Sequence, residues 1–106
     1  PQVVKQNGHR AEFDVEKIRT SFLRALHKRP VSATLIDAAI DRMTHTLLAL
    51  GEREVSSREI GERVMSELAK LDKVAYVRFA SVYRSFQDVA QFSDAIQEIS
   101  RPSAES

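Results

Sequence analysis

The alternation of apolar and polar residues predicts a short β-hairpin at the start of the chain. Residues 3–6 and 10–13 have the pattern of two strands, and Asn7-Gly8 between them suits the positive φ angles of a tight turn. A third short strand is predicted over 52–55. The sequence therefore predicts a small sheet formed from separate parts of the chain.

Apolar residues at helical spacing predict helices over most of the remaining sequence. Helix one is predicted over 15–28 with Asp14 as its N-cap, and helix two is predicted between Ser32 and Gly51. A third helix follows Ser56, whose distance from Glu59 matches a capping box. The residues of helix two predicted to face inward are Leu35, Ile36, Ala39, Ile40, Met43, Leu47 and Leu50.

Two further helices are predicted toward the C-terminus. Asp72 is expected to begin the fourth, which runs to about residue 86, and Asp88 to cap a fifth. The apolar residues spaced for one face of the fifth helix are Val89, Phe92, Ile96 and Ile99. The fold class that follows is α+β and mostly helical, with one domain over 1–100 and a polar tail over 101–106.

Composition limits the kinds of partner and chemistry available to this chain. Its 106 residues are 42% hydrophobic, enough for one modest core, and a net charge of +1 gives no overall field that attracts nucleic acid or anionic lipid. The absence of cysteine excludes disulfides and thiolate zinc sites within the sequence. Apolar runs are too short and too often interrupted by charge to cross a bilayer, so we expect a cytoplasmic protein.

No catalytic or metal-binding motif is present in the sequence. It contains neither a P-loop nor a Gly-x-Gly-x-x-Gly fingerprint, and it has no nucleophile elbow. His9, His27 and His45 form no i, i+4 pair and no ligand set with acidic residues, which predicts no metal site. We therefore expect a binding module that is not an enzyme.

Lys5 and Lys17 are the candidates for anion binding. Lys5 precedes the hairpin turn and Lys17 lies in the first turn of the helix after it, so both can reach one polyphosphate beside a helix N-terminus. Spacing alone favours the alternative of two solvated lysines. Asp14 can cap the helix or accept a hydrogen bond from a ribose hydroxyl.

Aromatic residues follow 3, 4, 3 spacing along the predicted fourth helix: Tyr76, Phe79, Tyr83 and Phe86. For Phe79 and Phe86 a place in the core is favoured, whereas the tyrosines suit an edge where the phenol meets a base, a phosphate or a second subunit. Tyr76, Arg78 and Arg84, joined by Phe92, mark a candidate ligand or subunit interface on the exposed side.

Several segments together resemble a known family. Residues 3–8 and 13–18 resemble the start of the ATP-cone, the regulatory nucleotide-binding module of ribonucleotide reductases. With 28–32, 51–55 and 71–86, which contains Arg-Phe-Ala-Ser-Val-Tyr-Arg, the sequence is similar to the ATP-cone of the NrdR family over about residues 2–99. Members of that family are bacterial transcriptional repressors of ribonucleotide reductase genes.

The resemblance implies a four-helix bundle capped by a three-stranded sheet, with ATP or dATP as the ligand. It places adenine against Val3 and Ile18, and the phosphates against Lys5 and Lys17. The remaining nucleotide-binding residues that it implies are Tyr83, Asp14 and Ser57. The sequence departs from the pattern at Gln6, where reductase cones often have Arg, and at Ala11, where many members have Glu and Glu12 is a possible substitute.

The resemblance also implies a zinc ribbon that contacts operator DNA, upstream of the ATP-cone. Because this chain has no cysteine and begins with Pro1, we expect it to be part of a longer protein whose ribbon lies outside it. The expected function is nucleotide sensing and homo-oligomer formation in a repressor, which associates with the nucleoid when bound to DNA. The alternatives are an allosteric ATP-cone of a ribonucleotide reductase and a helical interaction domain without ligand.

Overall fold

The computed structural model describes residues 1–100, leaving aside the side chains at 90, 94, 95 and 97–100. Within this range the chain forms three strands and four helices, so the predicted α+β, mostly helical class is confirmed. The strands are β1 (Gln2–Val4), β2 (Arg10–Glu12) and β3 (Glu54–Ser56). The helices are α1 (Val15–Ala25), α2 (Ala33–Ala49), α3 (Ser57–Leu71) and α4 (Lys73–Ser100). The predicted tail over 101–106 lies outside the described residues.

The sheet has β1 at its centre, in the order β2-β1-β3. Val3 of β1 lies opposite Ala11 in the antiparallel pair and opposite Val55 in the parallel pair. Gly8 has φ +84° in the hairpin turn, a conformation that glycine adopts without a Cβ clash. Val55 is buried and joins the sheet to the helical core.

The predicted N-caps of the first three helices are confirmed at Asp14, Ser32 and Ser56. Their side-chain oxygens accept hydrogen bonds of 3.0, 3.3 and 3.0 Å from the backbone N–H groups of Glu16, Leu35 and Glu59. Each bond satisfies a donor that has no partner within its own helix. These polar residues therefore determine where each helix begins.

The hydrophobic core lies between the four helices, with one residue from the sheet. Its buried members are Ile18, Phe22, Ala25, Leu26, Ile36, Ala39, Ile40, Met43, Leu47, Val55, Val64, Leu68 and Ala75. The prediction for helix two is wrong at its two ends, since Leu35 and Leu50 are 55% and 49% exposed. Leu35 lies in the first turn and Leu50 is the C-cap, where neighbouring elements cover only one side of the helix.

Helix α1 is shorter than predicted, ending at Ala25 rather than at residue 28. Lys28 has φ +60°, in the left-handed region, which does not continue an α-helix. Arg78 of α4 donates hydrogen bonds of 3.2 and 2.7 Å to the carbonyl oxygens of Ala25 and His27. The end of α1 is therefore stabilised by a side chain that is distant in the sequence.

Helix α4 is continuous, so the prediction of a separate fifth helix beginning near Asp88 is wrong. Its 28 residues include neither glycine nor proline, and an aspartate within a helix costs far less than either. Asp88 lies on the exposed surface of the continuous helix. None of the helices within residues 1–100 has the length and apolar character needed to span a membrane.

Asp72 holds the junction between α3 and α4. Its Oδ2 accepts hydrogen bonds of 2.9 Å from Arg29 Nε and 2.9 Å from the backbone N–H of Ala75. The Arg29 guanidinium, with the Ala75 N–H, lowers the pKa of Asp72 from its ordinary value. One carboxylate thus links the loop after α1 to the start of α4.

We expect Asp72→Asn to destabilise the fold at neutral pH, because asparagine carries no charge to pair with Arg29. Asparagine can still cap a helix, so the capping bond should be kept. Because the pKa of Asp72 is lower in the folded chain than in the unfolded chain, its carboxylate stabilises the fold. This stabilisation is fully present above the ordinary Asp pKa of about 3.9 and is lost as the pH falls through the lower pKa of the folded chain. Urea unfolding at about pH 7 and about pH 3 should show a difference between wild type and variant that shrinks in acid. Asp88→Asn, on the exposed face of α4, is the control, and a pH-independent difference for Asp72→Asn would contradict the assignment.

Candidate functional site

A cavity of about 1090 Å³ opens between the sheet and the helices. It is bordered by β1 and the hairpin turn, by the first turns of α1 and α3, and by the middle of α4. The seven residues predicted to bind nucleotide all line it: Val3, Lys5, Asp14, Lys17, Ile18, Ser57 and Tyr83. With Ala11 and Glu12 of β2 also in the lining, the fold brings residues from five elements and the hairpin turn to a single site.

Two of the basic residues of the cavity, Lys5 and Lys17, lie at its sheet side and at the N-terminus of α1. The hairpin places Lys5 at the end of β1, where its backbone N–H donates to His9 O at 2.8 Å. The N–H of Lys17 donates to Asp14 O at 3.2 Å, so Lys17 lies in the first turn of α1. Both lysine side chains are exposed. They stand beside the positive end of the α1 dipole, an arrangement that favours an anion.

Asp14 is committed first to helix capping, through the bond between its Oδ1 and the Glu16 N–H. A carboxylate has two oxygens and several lone pairs, so this bond leaves acceptor capacity for a second donor. Asp14 can therefore cap α1 and also accept a hydrogen bond from a ribose hydroxyl. Asp14 and two residues of the first α1 turn, Lys17 and Ile18, line the cavity.

Charge in the cavity is mixed with a small positive excess. Lys5, Lys17 and Arg58 oppose the carboxylates of Glu12 and Asp14 among its lining residues. Arg58 was not singled out from the sequence, because no motif marks it. It lies in the first turn of α3, and its Nε is 3.4 Å from Glu62 Oε1.

Apolar side chains form the inner wall of the cavity. Ile18 and Val64 are buried, and Val3, Ile60 and Phe79 are partly buried against the core. An apolar wall beside cationic side chains suits a ligand with a flat ring at one end and a charged group at the other. A nucleoside polyphosphate has this shape and charge.

Tyr83 contributes the α4 side of the cavity and is held by two neighbours. Its hydroxyl donates to the Arg58 carbonyl oxygen at 3.2 Å. Its ring stacks with Phe79, with ring centroids 6.2 Å apart and planes inclined by 17°. The edge position predicted for this tyrosine agrees with its partly buried place in the cavity wall, but its phenol meets a carbonyl oxygen of the same chain and not a base, a phosphate or a second subunit.

The predicted role of the aromatic row is only partly correct. Phe79 packs against the core as predicted, but Phe86 is 73% exposed and is not a core residue. It lies beyond the part of α4 that α1 and α3 cover. The row therefore changes from core to open surface along the helix.

The four residues predicted as an interface lie outside the cavity lining. All four are exposed. Arg78 also directs its guanidinium to Ala25 O and His27 O, so its partner is the negative end of the α1 dipole. Its contacts are therefore explained within the chain.

Exposed apolar side chains continue along α4 at spacings of three and four residues. They are Val82, Phe86, Val89, Phe92 and Ile96. We call this set the α4 stripe. Val82 and Phe86 belong both to the stripe and to the cavity lining, so the two surfaces are contiguous.

Comparison with known proteins decides the family. Residues 1–89 match the family model of the ATP cone domain. The transcriptional repressor NrdR of Chromobacterium violaceum is 77% identical over 103 residues, which cover 97% of this chain and 68% of that protein. The chain belongs to the NrdR family. The transcriptional repressors NrdR of Laribacter hongkongensis and Nitrosospira multiformis are 75% and 69% identical, each over 93% of this chain.

The NrdR relatives confirm the family prediction and its extent. This chain spans 68%, 65% and 62% of the lengths of these three relatives and corresponds to their ATP-cone part. These three relatives are named as transcriptional repressors and not as enzymes, in agreement with the prediction of a binding module. In the part of the chain that the structure describes, no group of three His, Asp or Glu residues is arranged to hold a metal ion.

Proposed function

We propose that this chain binds ATP and dATP in the cavity beside the sheet and thereby controls how copies of the chain associate. The observation that carries the proposal is the convergence of two lysines, a helix N-terminus and an apolar wall on one cavity. In the full-length protein the same module would regulate a cytoplasmic repressor of ribonucleotide reductase genes, with DNA contacted by an upstream zinc ribbon.

The nucleotide fits the cavity in one orientation. Lys5, Lys17 and the first N–H groups of α1 bind the phosphates, because these are the cationic and dipolar groups at that end. Adenine lies against Val3 and Ile18 on the apolar wall. Tyr83, Asp14 and Ser57 line the space between, where a ribose has polar partners.

Discrimination between ATP and dATP depends on a single ribose hydroxyl. A buried polar group left without a partner costs about 1–3 kcal/mol, which corresponds to an equilibrium change of about 5- to 150-fold. A sensor that does not transform its ligand acts only through such a difference in binding free energy between its states. ATP and dATP must therefore favour different assemblies for the module to distinguish them.

Self-association is proposed to use the exposed surface of α4. This surface includes the α4 stripe, to which Phe92 belongs, and also Tyr76 and Arg84. Apolar residues at three- and four-residue spacing on an exposed helix are typical of helix pairing. Because Val82 and Phe86 also line the cavity, a bound nucleotide contacts the edge of this surface. Nucleotide binding and the association of copies of the chain are therefore coupled through Val82 and Phe86. Arg78 is not included in this surface, because its side chain binds the end of α1.

We expect the 106-residue chain to bind ATP and dATP in calorimetric titrations and to change its mean mass in light scattering. Samples without nucleotide, with ATP and with dATP should give at least two different masses at the same protein concentration. GTP is the control for base recognition. A single mass in all three conditions over a wide concentration range would show that nucleotide does not change the association of this chain. If calorimetry detects no binding, the cavity is not a nucleotide site.

A further inference from the structure

Gly61, in the interior of α3, lies directly against the ring of Tyr83 on α4. It is buried, and a Cβ placed on it would stand 2.9 Å from Tyr83 Cδ2 and closer still to Cε2. Real Cβ atoms essentially never approach a carbon so closely. The two helices therefore pack at this point through a residue that has no side chain.

The backbone conformation gives no other reason for glycine at this position. Gly8 and Gly51 have positive φ angles, whereas Gly61 has ordinary helical backbone. Alanine is favoured over glycine within a helix because it loses less conformational entropy on folding. The contact with Tyr83 is thus the feature of this position that requires glycine.

The Tyr83 ring is held in place on its other sides. Phe79 stacks with it, and the bond from its hydroxyl to Arg58 O fixes the far end of the ring over the first turn of α3. Gly61, Phe79 and Tyr83 all line the cavity. The open space available to a displaced ring is therefore the cavity itself.

We infer that Gly61 is a positioning residue for the nucleotide site, keeping the Tyr83 ring against α3 and out of the volume that the ligand fills. This inference rests on the proposed function for its ligand, although the contact exists without one. A side chain at position 61 would push the ring toward the cavity, break its bond to Arg58 and narrow the site. Gly61 therefore acts on nucleotide binding through Tyr83.

We expect Gly61→Ala to weaken ATP binding at least about fivefold, because the displaced ring occupies part of the volume that the ligand fills and must be moved aside on binding. Calorimetric titration of Gly61→Ala, Tyr83→Leu and the double variant measures the coupling between the two positions. In the Tyr83→Leu background the same alanine should change affinity by less than about twofold, since the ring that it displaces is gone. Ser66→Ala, an exposed small-residue change on the same helix, is the matched control.

A spectroscopic measurement reports the ring directly. The chain has two tyrosines and no tryptophan, so Tyr76→Phe leaves Tyr83 as its single tyrosine. In that background Gly61→Ala should increase quenching of tyrosine fluorescence by acrylamide, and ATP should protect the wild-type ring more than the displaced one. Measured under conditions in which circular dichroism shows both chains to be folded, this readout separates a moved ring from a loss of overall stability.

The outcomes distinguish this inference from the proposed function. If the wild-type chain binds no nucleotide, the proposed function fails, while the quenching experiment still tests the position of the ring. If Gly61→Ala binds ATP as tightly as the wild type, the inference is overturned. It is also overturned if Gly61→Ala weakens ATP binding by the same factor in the Tyr83→Leu background as in the wild type. If Gly61→Ala unfolds the chain, Tyr83→Leu must restore folding, and failure to do so also overturns it.

Discussion

Replacing Phe22 by alanine should destabilise the chain by about 3–5 kcal/mol. Phe22 is completely buried in the second half of α1 and belongs to the core cluster that α1 forms with α2, α3 and α4. Removing its ring leaves a cavity that the surrounding helices fill only in part, and lost contacts add to the lost burial. Because small domains are stable by only about 5–15 kcal/mol, this one change should remove a large share of the total.

Urea unfolding followed by circular dichroism measures this effect, and Leu23→Ala is its matched control. Leu23 is adjacent in α1 but 52% exposed, so its truncation should cost well under half as much. Similar losses for the two variants would show that α1 does not present the Phe22 face to the core. A shift in the unfolding midpoint without a change in the denaturant slope is expected for Phe22→Ala.

Replacing either Lys5 or Lys17 by alanine should weaken ATP binding by about 1.5–3 kcal/mol, the value of a hydrogen bond to a charged group. At about 1.4 kcal/mol per factor of ten, this is a loss of roughly 10- to 150-fold. Both side chains are exposed and neither belongs to the core, so the fold should survive. Calorimetric titration at fixed ionic strength is the measurement.

Lys73→Ala provides the control for the loss of one positive charge, since Lys73 is exposed at the start of α4 and does not line the cavity. Its affinity for ATP should match that of the wild type within about twofold, because screening by salt weakens the effect of a distant charge. Unchanged affinity in both Lys5→Ala and Lys17→Ala would remove the phosphates from this end of the cavity. Equal losses in all three variants would indicate a general charge effect instead of a site.

Several parts of this structure follow from interactions between residues that are close in the sequence. Asp14, Ser32 and Ser56 cap helices through bonds to residues two or three positions later, so the residue types at those spacings are enough to predict them. The Asn7-Gly8 turn is local in the same sense. Where a local signal competes with an uninterrupted helix, it misleads: Asp88 has the character of a cap but lies within α4.

The candidate site was predictable only in part. Two lysines separated by a hairpin suggest an anion site, but spacing alone favours solvated side chains, and the resemblance to the ATP-cone supplied the other residues. Arg58 and Gly61 carry no motif, and their relevance depends on the approach of α4 to α3. Phe86 was wrongly predicted to lie in the core for a related reason. Helical periodicity identifies one face of a helix but does not show how much of that face a neighbouring element covers.

The sequence by itself determined the hairpin turn, the N-caps of three helices and most of their apolar faces, because capping, turn formation and periodicity depend on residues within a few positions of one another. It also determined the family, through segments that resemble the ATP-cone. The tertiary structure alone decided that β3 pairs beside β1, that Arg78 completes the end of α1, and that the Tyr83 ring occupies the space over Gly61. These contacts join residues more than twenty positions apart. Their geometry depends on how whole helices and strands pack, which no short stretch of sequence specifies.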